Sequence, residues 1–149
     1  MATAQRDLWP ATLPTPEVTP PLSILREQAS LLESKTNGLV KAEVRSSGKL
    51  SSLYENGERF KEERPEFRHS FYLVAPALED YRYLLFDVIH PVEKMYPLVI
   101  NDPPHRKRKI KDESDFVHSE EEFKDALKKI FASEKTLKVI QALIAQSSL

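Results

Sequence analysis

Hydrophobic positions along this chain change their spacing several times, and each change marks an element. Leu22, Leu25, Ala29 and Leu32 recur at helical intervals, Ile24 and Leu31 widen the stripe, and Arg26, Glu27, Glu33 and Lys35 fall largely off it. Intervals of three and four residues bring side chains to one side of an α-helix, so the segment predicts an amphipathic helix that packs on the rest of the chain. Thr19 offers a cap, Pro20 is tolerated in the first turn, and Asn37-Gly38 supplies a left-handed exit.

After Gly38 the period drops to two. Val40, Ala42 and Val44 alternate with Lys41, Glu43 and Arg45, which predicts a strand from Leu39 to Ser46 with one dry face. Ser47-Gly48 reads as punctuation, with Lys49 to Tyr54 returning as a further strand. Asn56-Gly57 is a hairpin signal, but the charged residues after it predict a mobile loop or a short edge excursion over 55–65.

The densest apolar stretch runs from Phe67 to Ile100 and predicts consecutive strands. Phe67, His69, Phe71, Leu73 and Ala75 share one side of an extended chain, and Arg68, Ser70, Tyr72 and Val74 the other. In the next run, unbroken alternation places Tyr81, Tyr83, Leu85, Asp87 and Ile89 together, opposite Leu84, Phe86, Val88 and His90. Strands apolar on both sides belong in the middle of a sheet. Pro76 to Asp80 has the length of a hairpin connection. In the third run, Tyr96 to Ile100, Pro97 cannot donate to a ladder, so that strand belongs at an edge or begins after the proline.

Helical spacing returns at the C-terminus. Ser119 and Glu122 have the S-x-x-E spacing of a capping box ahead of Phe123, Leu127, Ile130 and Phe131. Ser133 resets the register for Leu137, Ile140, Leu143 and Ile144, either in a kinked continuation or in a new helix. The fold class that follows is α+β: an antiparallel sheet of four to five strands, with an N-terminal helix and one or two C-terminal helices packed against it. Residues 1–18, with Trp9, Pro10, Pro14 and Pro16, read as a flexible Pro-rich tail whose Leu8, Trp9 and Leu13 offer an apolar arm. Residues 19–149 read as a single domain with a mobile basic and acidic loop at 101–116.

Composition supports this picture and narrows the chemistry. The 149 residues, 40% hydrophobic and 30% charged, suit one globular domain. No cysteine is present, which excludes disulfides, thiolate metal sites and a cysteine nucleophile. The 22 basic residues balance 23 acidic ones, so net charge gives no pull toward nucleic acid or membrane. Neither a secretory leader pattern nor a membrane-length apolar run is present, and a cytoplasmic location is the expectation.

Candidate chemistry is sparse. Arg106, Lys107, Arg108 and Lys109 form a basic run able to neutralise phosphates, yet no aromatic residues interleave to stack bases and Asp112, Glu113 and Asp115 compete. Nucleic acid is therefore disfavoured. Among the histidines, His69 reads as a core or rim residue, whereas His90 ends a strand near Asp87 and Glu93 and is the candidate centre of a hydrolase-type site. Regular alternation separates Asp87 from His90. No histidine pair has the spacing of a metal site within one element, so neither metal nor cofactor is expected. Gly-rich phosphate loops and nucleophile-elbow motifs are absent. Tyr81 and Tyr83 offer an exposed aromatic face, and tyrosine is enriched where proteins meet proteins. The reading that emerges is a small protein-interaction module with a protein partner or a second copy of itself.

Overall fold

The computed structural model describes residues 6–51, 64–102 and 116–148. Among them the chain runs through α1 (Pro21–Lys35), β1 (Lys41–Ser51), β2 (Arg64–Ala75), a 3-10 turn at Pro76–Leu78, β3 (Tyr81–Pro91), β4 (Val99–Asn101), α2 (Glu120–Phe131) and α3 (Glu134–Ser147). The strands form an antiparallel meander in the order β1-β2-β3-β4. The fold is therefore α+β, with one helix before the sheet and two after it.

The two runs that are apolar on both sides became the inner strands β2 and β3, as their composition requires. Pro97 lies before β4, which starts at Val99 and is the outer strand beyond β3. Ser47-Gly48 does not break the first strand. Gly48 pairs with Phe67 and the ladder continues to Ser51 against Arg64, so the backbone bonds of β2 override the local turn signal. The hairpin signal at Asn56-Gly57 and most of the 55–65 loop lie outside the described residues.

Local chemistry explains the helix ends. Pro20 is the N-cap of α1, with Pro21 in the first turn and no side-chain cap. Two consecutive prolines have no N–H to satisfy, so the missing cap costs little. Thr19 instead lies beside the Glu120 carboxylate and helps hold its pKa below the ordinary value, which places the start of α1 next to the start of α2. At the other end Asn37 and Gly38 both adopt positive φ, and the Gly38 amide donates to the Glu33 carbonyl at 2.9 Å. The Thr36 hydroxyl closes the junction by donating to Val40 O at 2.8 Å and accepting from Val40 N at 3.1 Å. Ser119 caps α2 by accepting from the Glu122 amide, while the Glu122 carboxylate accepts from the His118 amide. Ser133 caps α3 as a new helix, accepting from the Thr136 amide.

The core lies between the sheet and the helices, with Leu25, Phe71, Phe86, Phe123, Leu127 and Leu143 buried in one cluster. Phe71 and Phe86 stack across β2 and β3 with centroids 5.1 Å apart, and Phe131 of α2 packs against both. Such aromatic pairs contribute about 0.5–1.5 kcal/mol beyond their buried area.

Between Phe71 and Tyr72 the β2–β3 register shifts: Phe71 faces Phe86 but Tyr72 faces Leu84, which leaves Leu85 as an extra residue in β3. A bulge of this kind changes which side chains share a face. It corrects the uninterrupted alternation expected from sequence. Tyr81 and Tyr83, opposite Ala75 and Leu73, lie on the helix-packed side with Phe86, Val88 and His90, while Asp87 and Ile89 lie on the other.

Tyr96 shows a local cost of this packing. Its hydroxyl is buried without a hydrogen-bond partner among the described residues, and burial reinforced by Glu120 pushes its pKa up to about 12. An unpartnered buried hydroxyl is destabilising. Tyr96→Phe is therefore expected to stabilise the fold by about 1 kcal/mol, read as a rise in Tm; a fall in Tm shows that the hydroxyl is bonded.

Candidate functional site

Two regions of the helix-packed face bring chemistry-bearing side chains together, one at each end of β2 and β3. Ala75 pairs with Tyr81 at one end and Phe67 pairs with His90 at the other. Eight residue steps along the strand lead from Phe67 to Ala75, a span of about 25 Å.

At the first end, Tyr81 and Tyr83 border a groove of ≈ 440 Å³ together with Leu78 and, from α3, Val139, Leu143 and Gln146. Tyr81 is 51% exposed, and Tyr83 is half-buried and packs against the core. The groove is positioned by the tight turn between β2 and β3, where Glu79 and Asp80 both take positive φ, and by α3, which packs on that turn and on β2. Its walls carry tyrosine rings and aliphatic side chains, a surface suited to apolar contact with an oriented polar rim.

At the second end, β1, β2 and β3 assemble a chain of polar side chains. Ser46 Oγ lies 2.7 Å from His69 Nδ1, and His69 Nε2 lies 3.0 Å from His90 Nε2. His90 Nδ1 lies 2.8 Å from the Pro91 carbonyl and 3.1 Å from the Lys94 carbonyl. Carbonyl oxygens only accept, so His90 Nδ1 carries a proton. With both rings neutral, His90 Nε2 then accepts from His69 Nε2–H, and His69 Nδ1 accepts from the Ser46 hydroxyl. Every polar atom of the chain is satisfied by this one arrangement. Phe67 flanks both rings, at 5.9 Å from His69 and 5.8 Å from His90 between centroids. His69 and His90 are buried, whereas Ser46 is exposed. Burial, with the neighbouring His90 and then Arg26 adding to it, pushes His69 down to about 4.

The carboxylates offered by the sequence do not join His90. Asp87 is buried on the opposite face, where it accepts from the Ser70 hydroxyl at 2.6 Å and pairs with Arg68 at 3.4 Å. Glu93 is exposed, and both ring nitrogens of His90 are committed to His69 and to backbone carbonyls. The acid–base pair expected around His90 is thus replaced by a histidine pair. Among the described residues no group of three or more acidic, histidine or cysteine side chains is placed to hold a metal. Arg106, Lys107, Arg108 and Lys109, and most of the 101–116 loop, lie outside the described residues.

Sequence reasoning missed Ser46 and the His69–His90 contact. The two histidines are 21 residues apart and Ser46 is 23 from His69. No single-strand spacing carries such a signal; it arises from cross-strand register, with Ser46 opposite His69 and His90 opposite Phe67.

No family model matches this chain, and no curated protein or solved structure does. No helix among the described residues is long and apolar enough to cross a membrane.

Two buried groups near this end make stability depend on pH in opposite directions. His69 falls from its ordinary 6.5 to about 4, so as pH drops the unfolded chain binds the proton first and stability declines from 6.5 downward. Glu66 is pushed by burial from 4.5 up to about 6, against the pull of Arg68. There the folded chain binds the proton first, and stability is gained as pH falls from about 6 to 4.5. Glu66→Gln removes that gain, so its stability relative to wild type is expected to worsen by on the order of 1 kcal/mol across this window. Urea unfolding at several pH values measures the difference; a difference independent of pH refutes the assignment.

Proposed function

We propose that this domain is a protein-interaction module that self-associates, with the Leu8–Leu13 arm of one copy seated in the Tyr81–Tyr83 groove of a second copy. The observation that carries this reading is a matched pair of exposures on one chain. A groove walled by tyrosine and aliphatic side chains stands open, while Leu8 and Trp9 project at 91% and 75% exposure. A tryptophan side chain buries roughly 150–250 Å² on docking and is among the residues most often found to dominate interfaces. The groove's ≈ 440 Å³ admits a large aromatic side chain with a neighbour.

Several features fit the same reading. Pro10 within the arm, and Pro14 and Pro16 after it, restrict the backbone and reduce the conformational entropy lost on binding. Tyr81 provides a ring for stacking and a hydroxyl for a backbone group of the arm.

Trp9 is the chain's one tryptophan, so its fluorescence reports docking directly. Raising protein concentration is expected to shift its emission to the blue in step with a monomer-to-dimer change in sedimentation. Tyr81→Ala with Tyr83→Ala, and separately Trp9→Ala, are expected to hold the protein monomeric; the tyrosine variant keeps its far-UV circular dichroism and a red-shifted Trp9. A monomer at all concentrations, or a dimer indifferent to both changes, rejects the reading.

A further inference from the structure

Ser46, an exposed residue, stands at one end of a run of hydrogen bonds whose middle contact, His69 to His90, is buried. We propose that Ser46 is a nucleophile, His69 its general base and His90 the positioning residue behind that base, forming an acyl-transfer site for small activated esters. This goes beyond the interaction reading and uses none of the groove residues.

Three geometric relations define such a site: nucleophile on base, base on orienting group, and orienting group held by the scaffold. All three are present. Ser46 Oγ is 2.7 Å from His69 Nδ1, His69 Nε2 is 3.0 Å from His90 Nε2, and the Pro91 and Lys94 carbonyls hold His90 Nδ1. Exposure is graded in the useful direction, since His69 and His90 are 4% and 5% exposed while Ser46 opens to solvent.

The surroundings leave space for an acyl group. Gly48, two residues along the same face, has nothing among the described residues within 4 Å of the position a Cβ would take. Phe67 supplies an apolar wall beside both imidazoles. β1 is an outer strand of the sheet, so alternate backbone N–H groups along it face away from β2. Burial pushes His69 down to about 4, so its ring is neutral at pH 7 and a weaker base than a free imidazole.

In the forward step, Ser46 Oγ bonds to the ester carbonyl carbon and its proton passes to His69 Nδ1. The imidazolium so formed donates its Nε2–H to His90 Nε2, whose lone pair faces it because the His90 proton is fixed on Nδ1. The carbonyl–alkoxide bond then breaks, and His69 returns the proton from Nδ1 to the leaving alkoxide. Water next attacks the acyl-serine, its proton going to His69 and then to Ser46 Oγ as the carboxylic acid departs. His90 touches no reacting atom and acts through His69.

The test uses the full chain, with diisopropyl fluorophosphate as the covalent probe and p-nitrophenyl acetate as the ester. The probe bonds Ser46 Oγ to phosphorus, fluoride leaves and the hydroxyl proton passes through His69 to solvent. Intact mass and peptide mapping are expected to show one diisopropylphosphoryl group, on Ser46. Ser46→Ala, at an exposed strand position, is expected to remain folded, take up no label and lose acetate turnover. His69→Gln is expected to slow labelling by about 100-fold or more.

His90→Gln places a carbonyl oxygen where His69 Nε2–H needs an acceptor and is expected to label within about tenfold of wild type, whereas His90→Leu labels as slowly as His69→Gln. Nitrogen-15 spectra of wild type are expected to show His69 protonated on Nε2. If the His69 variant does not fold, the Ser46→Ala comparison and that tautomer still decide. No label on Ser46 beyond that of the urea-unfolded chain, equal turnover in Ser46→Ala, or His69 protonated on Nδ1 overturns the proposal. Equal rates in the two folded His90 variants overturn the role given to His90.

Discussion

One extra residue in β3 governs the layout of this molecule. With Leu85 inserted opposite the Phe71–Tyr72 step, the strand's alternation reverses partway along its length. Without it, Tyr81 and Tyr83 would point away from the helices while Phe86, Val88 and His90 pointed toward them. With it, both halves of β3 serve the same side, and Leu85 and Phe86 both enter the core fully buried. Bulges cost one ladder position and return a re-aimed side chain. Here that returned direction places a tyrosine groove and a histidine pair on the same face, at opposite ends.

The helices hold that face through a few short-range devices and one aromatic cluster. Thr36 clasps the α1–β1 junction by bonding both polar backbone groups of Val40. Thr19 lies beside the Glu120 carboxylate at the start of α2, and Ser119 and Ser133 cap the two C-terminal helices. Phe131 then packs on the stacked Phe71–Phe86 pair and docks α2 onto β2 and β3. Phe71, at 1% exposure, makes its stack just where the bulge begins, so the most crowded point of the core and the register shift coincide.

The two faces handle polarity differently. On the side away from the helices, charge is paired pointwise: Glu43 with Arg45 and Arg82, and buried Asp87 with Ser70 and Arg68. The exposed pairs contribute little, whereas the buried carboxylate is held by a short bond to a neutral hydroxyl and a longer one to a partly exposed guanidinium. On the helix side, polarity is gathered into a directional run in which each histidine has one donor and one acceptor position. In its neutral form such a run pairs each donor with an acceptor, which lets it be buried without a counter-charge.

Much of the fold was legible in the sequence because it rests on local periodicity. The 3.6-residue stripe of α1, the two-sided apolar runs of β2 and β3, the left-handed exit at Asn37-Gly38 and the capping box at Ser119 and Glu122 each depend on residues within a turn or two of one another. The misread boundaries also have a local cause: Ser47-Gly48 resembles a turn until eleven ladder pairs with β2 hold it straight. The candidate site was legible only in pieces. Tyr81 and Tyr83 stood out by type, but the face they join was decided by a bulge that periodicity does not announce. His90 stood out by position, yet its partners, His69 and through it Ser46, come from two other strands. By itself the sequence determined the elements and their caps, because those are set by side chains near in the chain. Tertiary structure decided which faces and which polar groups meet, because register across three strands couples residues more than twenty positions apart.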